Sequence, residues 1–413
     1  MQCSIKGRPE KLNAEVDLPA SKSISNRVLI IRYLCGSDFI INNLSQASDT
    51  QVLARQLEDP YGTIDIGDAG TAARFLTAAL AVSPQVGTVT LYGSARIRQR
   101  PMAPLIDALR EIGAEITCIE NEGFIPLRIK GHKLEGGSIS IDASMSSQFI
   151  SALLMVAPLM EKGLFINFNS PPVSTSYIEL TMDLMKYYGV TCQWMSDEQI
   201  FVPPAQYGTE SIHIEGDWSS ASYWYGLVAL TNDGKAQFHD LEKESKQGDR
   251  AIASYMEEFG VTTYWGTSLT QIEKVGNNPA YFVKDMVNTP DLIPTMVVLC
   301  SCLNISCRIK GTRTLSLKES DRVAVMQREL QKVGYHIEVD EDEIKGMPSQ
   351  ESSRKEAVLD PAGDHRMAMA FALQAFINPN VAIKDAEVVD KSFPTFWETL
   401  VESGVEVMET DDK

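Results

Sequence analysis

The sequence predicts an α/β fold assembled from six copies of one unit of roughly 73 residues. Three observations predict it. Segments that begin polar and become apolar on all sides start near Lys22, Gly70, Ser146, Ser219, Asp291 and Asp364, at intervals of 48, 76, 73, 72 and 73 residues. Amphipathic segments alternate with them, starting near Asp49, Pro101, Tyr177, Asp249, Asp321 and Phe393. Short strand-like runs follow, such as 114–119 and 190–194.

Each element has a physical reason. A helix apolar on every face must be buried, whereas an amphipathic one lies at a surface. Gly113, Gly189, Gly260, Gly334 and Gly404 stand just past the amphipathic segments. Glycine there supplies the left-handed residue that ends a helix. The first interval is the short one. After Leu57 the chain runs through Asp59-Pro60-Tyr61-Gly62 almost directly to Gly67, so the first copy is expected to lack one hairpin.

Composition sets bounds. A chain of 413 residues with 44% hydrophobic and 22% charged residues can hold two or more globular domains. A net charge of -18 argues against a general nucleic-acid or anionic-membrane surface, so any bound anion needs its cations concentrated in a site. Seven cysteines, an odd count with no C-x-x-C, read as free thiols in a reducing compartment. Cys300, Cys302 and Cys307 cluster, but no second Cys/His cluster lies near them to complete a metal site. Residues 1–21 hold no apolar core of a secretory signal, and no 18-residue apolar run occurs, so a cytoplasmic protein is expected.

The stretch Leu317-Lys318-Glu319-Ser320-Asp321-Arg322 sets one carboxylate, Glu319, between two cations at the start of a helix. A helix N-terminus favours anions, so a cation there calls for an anion beside it. The stretch reads as an anion site holding a proton-transfer group, or as a solvated cap. Elsewhere Lys22, Arg27, Arg74, Arg100, His365, Arg366 and Lys391 also sit near helix starts. If several of these N-termini face one cavity, their dipoles add and draw anions into it.

The motifs that carry a resemblance are 21–27, 69–74, 96–101, 146–149, 215–217, 219–223, 318–322, 364–368 and 391–394. In this order, over essentially the whole chain, they resemble the 5-enolpyruvylshikimate-3-phosphate (EPSP) synthase family. The resemblance implies two domains, each an inside-out α/β barrel of three βαβαββ units with buried helices inside and sheets outside. Residues 21–214 would form one domain, and residues 1–20 with 215–413 the other. The active site would lie in the cleft between them.

It further implies transfer of the enolpyruvyl group of phosphoenolpyruvate to the 5-hydroxyl of shikimate 3-phosphate, by addition and elimination through a tetrahedral intermediate. No metal or organic cofactor is implied, and a monomer is expected. Arg100, Arg322 and Arg366 would grip phosphoenolpyruvate, with Lys22, Gly70, Gln148 and Lys391. Lys22, Ser23, Arg27, Ser146, Ser147, Gln148, Ser174, Tyr177, Asp291 and Lys318 would hold shikimate 3-phosphate. Asp291 would be the base for the hydroxyl and Glu319 the acid and base at the methylene, with Lys22 and His365 assisting. Cations beside Glu319 favour its ionised form, whereas bound anions would favour the protonated one.

Other readings stand beside these. Ser146, Ser147 and Asp291 also fit plain caps, and His365 a structural histidine. Arg74 is left outside the site, with an interdomain or structural role. The chain departs from the family pattern at Asp68, Phe75 and Thr314, where Asn, Pro and Asn are usual. Gly70 is unsubstituted, which leaves room for a phosphonate inhibitor such as glyphosate. Two alternatives are the enolpyruvyl transferase of UDP-N-acetylglucosamine, whose reactive cysteine has no counterpart in 94–102, and a non-catalytic anion-binding relative, which would be expected to have lost Asp291 or Glu319.

Overall fold

A computed structural model describes residues 1–6, 9, 11–267, 269–349 and 356–410. The chain forms two compact units, Ala20–Ile214 and Met1–Pro19 with Glu215–Lys413. Ala20 thus goes with the interior unit. Each unit has its own hydrophobic core. No helix among the described residues is long and apolar enough to cross a membrane.

The six apolar segments are helices at Lys22–Cys35, Gly70–Ala81, Ser147–Val156, Trp218–Ala229, Ile293–Cys302 and His365–Ile377. Within each unit the three helices pack pairwise against one another. All twelve residues of Trp218–Ala229 are buried, as an all-apolar surface demands. Most starts are capped by their own sequence. Ser21 accepts from the Ile24 N–H, Ser146 from Gln148, Asp217 from Ser220 and Asp364 from Arg366. Asp291 is not such a cap: it sits in a short 3₁₀ turn, Pro290–Leu292, just before its helix.

Around the helices lie five four-stranded sheets and one of two strands among the described residues. The four-stranded sheets repeat one pattern. In one, Thr63–Asp65 runs parallel to Thr88–Tyr92, which then pairs antiparallel with the Glu115–Cys118 and Leu127–Lys130 hairpin. Burial alternates along Lys11–Val16, the signature of a strand with one face on the core.

Two units borrow their opening strand from far along the chain. Lys11–Val16 runs parallel to Asp233–His239, and Ile212–His213 parallel to Ile41–Asn42. Gln2–Ile5 closes the last sheet between Val381–Ile383 and Val407–Thr410. The two-stranded sheet belongs to the first copy. Its amphipathic helix, Ser48–Glu58, leads through Pro60 straight to Thr63–Asp65, so the hairpin is missing where the short interval placed the loss.

The amphipathic helices start at Ser48, Ala103, Thr175, Ile252, Arg322 and Phe396. Asp249 lies one turn earlier than its helix, in the 3₁₀ turn Gly248–Ala251. All five glycines past these helices adopt positive φ, from 68° at Gly260 to 94° at Gly113. Gly189 and Gly260 separate two costs. At Gly189 a side chain would meet open space, whereas at Gly260 a Cβ would overlap the backbone of Gly276. Gly189→Ala is therefore expected to lose about 1 kcal/mol of stability. Gly260→Ala should lose about 2 kcal/mol more, because backbone must shift. Urea denaturation of the two variants checks the order.

Candidate active site

The site residues fall into two groups, one in each unit. In Ala20–Ile214 they gather at helix starts. Lys22 is the first residue of its buried helix, and its Nζ lies 3.5 Å from Asp49 Oδ2 at the start of the next. Arg27, one turn further along, is 2% exposed. Its guanidinium donates to Thr181 Oγ1 at 2.7 Å, Ser151 Oγ at 3.1 Å and the carbonyls of Ser23 and Tyr177. Burial pulls the Arg27 guanidinium down to about 10. It also stacks over Phe75, 5.4 Å from the ring centre, so the departure at Phe75 gives this cation an aromatic floor.

Gly70 opens the second buried helix, and Gln148 the third after Ser147. Gln148 Nε2 donates to Thr71 Oγ1 at 3.2 Å and so ties the two starts together. Ser146 is the N-cap of the third helix, and Ser147 is buried in its first turn. Ser174 holds φ 53° with no side-chain cap bond, a left-handed conformation uncommon for serine. Tyr177 lies under the Arg27 guanidinium, 5.9 Å away.

Arg74 belongs with this group, although the sequence reading left it out. It is 3% exposed and donates to the Gly70 carbonyl at 2.8 Å. Burial and the neighbouring Arg100 charge together pull its guanidinium well below the usual range. Its signal was present, one turn after Gly70 on a buried helix. An alanine Cβ at Gly70 would overlap the Arg100 guanidinium, so the space beside Gly70 is filled by that arginine. Among the described residues, neither Arg27 nor Arg74 has a carboxylate within ion-pair distance. Arg27 and Arg74 are thus buried cations with only neutral acceptors, an arrangement that attracts anions.

The group in the other unit is neutralised internally. Arg322 is the first residue of Arg322–Lys332 and is 2% exposed. Its Nε and Nη2 donate to Asp364 at 2.8 and 3.3 Å, and its Nη1 donates to Asp291 at 2.9 Å. Arg366 Nη2 lies 2.9 Å from the other Asp291 oxygen, and Lys318 Nζ 3.6 Å from the first. Burial would push the Asp291 carboxyl up, but Arg366, Lys318 and Arg322 outweigh it and hold it well below the usual range. Asp364 behaves alike: burial raises it, and Arg322 chiefly brings it below its ordinary value.

Glu319 Oε2 lies 2.9 Å from His365 Nδ1 and 3.9 Å from Lys391 Nζ. Its carboxylate is only partly covered, whereas His365 is buried. Among the described residues, Glu319, Asp364 and His365 are the one trio at metal-ligand spacing. Asp364 already answers Arg322, and Lys391 and Arg366 stand close by, so a divalent cation would meet repulsion there. The Cys300 and Cys307 thiols share a hydrogen bond, and all seven cysteines are free.

Of the departures, Asp68 bonds to Ser94 Oγ, and Thr314 is buried in the 3₁₀ turn Arg313–Leu317. Asp49 and Asp364 are two carboxylates outside the residues expected from the sequence. Each sits at a helix start beside a predicted cation.

Removing Asp364 would leave Arg322 buried against Asp291 alone. Asp364→Asn is expected to cost about 3 kcal/mol of unfolding free energy. The depressed carboxyl adds its stability above the ordinary carboxylate range, near pH 4, and loses it as pH falls through its lower folded value. The deficit of the variant, measured by denaturation against pH, should therefore shrink in acid.

The profile of the EPSP synthase family, 3-phosphoshikimate 1-carboxyvinyltransferase, matches residues 52–400. A 3-phosphoshikimate 1-carboxyvinyltransferase of Bacteroides fragilis strain YCH46 is 41% identical over 96% of each chain. One from Sulfurovum sp. strain NBC37-1 is 36% identical over 94% of this chain and 96% of that protein. The solved EPSP synthase of Acinetobacter baumannii shares the fold with a TM-score of 0.78, at 20% identity over 99% of this chain and all of the other.

Proposed function

The chain belongs to the EPSP synthase family, the 3-phosphoshikimate 1-carboxyvinyltransferases, and we propose that its two residue groups act together on phosphoenolpyruvate and shikimate 3-phosphate. The observation that carries this reading is the asymmetry of charge. One unit holds buried arginines with no carboxylate to answer them, and the other holds carboxylates already wrapped in cations.

The first group binds. Lys22, Ser23, Arg27, Ser146, Ser147, Gln148, Ser174 and Tyr177 take the phosphate and hydroxyls of shikimate 3-phosphate, and Lys318 of the other unit joins them. Arg100 and Lys22, with the N–H groups at Gly70, take phosphoenolpyruvate. Arg322, Arg366 and Lys391 complete the grip on its carboxylate and phosphate. Arginine suits this work because its planar fork meets an oxyanion with two bonds.

The second group moves protons. Asp291 accepts the proton of the 5-hydroxyl as that oxygen attacks C2 of phosphoenolpyruvate. Glu319 delivers a proton to C3, and a tetrahedral phosphate ester results. Removal of a C3 proton by Glu319 then restores the double bond as the C2–O bond to phosphate breaks. Lys22, Lys391 and His365 steady the departing charge. At rest Asp291 is ionised, the form a base needs, but its cations make it weak. Substrate anions that engage Arg366 and Lys318 would weaken that hold and make Asp291 more basic as the hydroxyl arrives. The family match favours this reading over UDP-N-acetylglucosamine enolpyruvyl transfer. On the same reading the protein works as a cytoplasmic monomer.

Phosphate release by the purified protein should require both substrates, each omitted in turn. Glu319→Gln and Asp291→Asn should lower kcat by about 10²- to 10⁴-fold. Glu319→Gln should keep the rise in melting temperature that shikimate 3-phosphate gives the unaltered protein, and Asp291→Asn, which alters one contact to that substrate, should keep most of it. Variants that lose this rise, or keep full turnover, would defeat the assignment. Gly70→Ala should fold, because the flexible end of Arg100 can give way. It should raise KM for phosphoenolpyruvate by about tenfold, with kcat less affected, as steady-state kinetics would show.

A further inference from the structure

One buried carboxyl beside the proton-moving group has no part in the mechanism above. Asp249 is 2% exposed. Its Oδ2 accepts a 2.5 Å hydrogen bond from Ser219 Oγ, at the start of a buried helix. Its Oδ1 is buried and has no hydrogen-bond partner. The charged groups that act on it come from three other segments. They are Asp291 in the 290–292 turn, Arg366 in the His365–Ile377 helix and Asp217 at the cap of the Trp218–Ala229 helix. Arg366 is the same guanidinium that holds Asp291 at 2.9 Å. Arg366 is thus ion-paired to Asp291 and acts on Asp249 through its field alone, with no hydrogen bond between the two.

We propose that Asp249 is a positioning residue of the reaction, a second carboxyl that sets the strength of Asp291 as a base through their shared Arg366. This rests on the function proposed above. A buried carboxylate with one oxygen unsatisfied is costly, whereas the neutral acid is tolerated. Burial first, then the Asp291 charge, push the Asp249 carboxyl up to about 7, against the opposing pull of Arg366 and Ser219. Below that pH Asp249 is neutral, and Asp291 has Arg366 largely to itself. Above it Asp249 is ionised. Its charge then repels the one on Asp291 and draws on Arg366, and both effects make Asp291 a stronger base. When Asp291 takes the substrate proton its own charge disappears, and an ionised Asp249 keeps Arg366 answered. The total charge facing Arg366 then changes less during the step.

The test is the pH profile of kcat/KM for phosphoenolpyruvate, from about pH 5.5 to about 9.5, which reports ionisations of the free enzyme. Three full-length proteins are compared: unaltered, Asp249→Asn and Ser219→Ala. Ionisation of the substrate phosphates is common to all three and cancels in the comparison. The unaltered enzyme should rise through a limb near neutrality. Asp249→Asn should lack that limb and lie about 3- to 10-fold below the unaltered enzyme at alkaline pH. Ser219→Ala removes a bond that favours the ionised acid, so its limb should move to higher pH. A folded Asp249→Asn enzyme with the limb unchanged, or with equal rates at every pH, overturns the proposal. If Asp249→Asn fails to fold, Ser219→Ala decides, and an unmoved limb overturns it. No turnover by the unaltered enzyme at any pH would overturn the underlying function as well, whereas turnover with an unchanged limb defeats this proposal alone.

Discussion

Burying a guanidinium is costly unless its charge and its five N–H groups are answered. Arg322 is answered by two carboxylates that arrive from two other segments. Asp364 comes from the cap of one buried helix, and Asp291 from the turn before another. One side chain thus fixes three helix starts with respect to each other. Arg366 and Lys318 extend the arrangement, since both reach Asp291. The proton-moving carboxylates are held in place by the cations that are proposed to receive substrate.

The interior unit solves the opposite problem. Arg27 is buried against hydroxyls, carbonyls and aromatic rings, and Arg74 against the Gly70 carbonyl. Neutral acceptors satisfy the Arg27 guanidinium in geometry but leave its charge uncompensated, and Arg74 keeps its Nε without a hydrogen-bond partner as well. The pull on both guanidiniums is the cost of that choice, and on the proposed function an arriving phosphate or carboxylate would relieve it. In a chain with a net charge of -18, two arginines buried without a carboxylate partner stand out.

Much of this was legible in the sequence because helices advertise themselves by period. All-apolar segments beginning at Lys22 or Asp364 have one destination, the core. The stop glycines Gly113 and Gly334 mark the ends of their amphipathic partners. Strand partnership was harder to read. Nothing local in Ile212–His213 says that it pairs with Ile41–Asn42, because that choice depends on tertiary packing. In the site, cations at helix starts were visible, as oddities against a helix dipole. The carboxylates that answer them were not. Asp49, Asp249 and Asp364 look like ordinary capping residues, and only three-dimensional neighbours distinguish a cap from an ion-pair partner. Arg74 shows in the sequence as a cation one turn after Gly70 on an apolar helix, but nothing local there announces Arg100 beside it.

The borrowed strands have a consequence for synthesis on the ribosome. Residues 20–214 contain every strand their own sheets require, so this stretch can complete its fold as soon as it has emerged. The strands at 2–5 and 11–16 are made first but cannot be used then. One waits for 233–239, and the other for 381–383 and 407–410. Strands that precede 20–214 are thus placed only after it. Until then they are unpaired strands with apolar residues at Cys3, Ile5, Leu12 and Val16, the part of the nascent protein most in need of a chaperone.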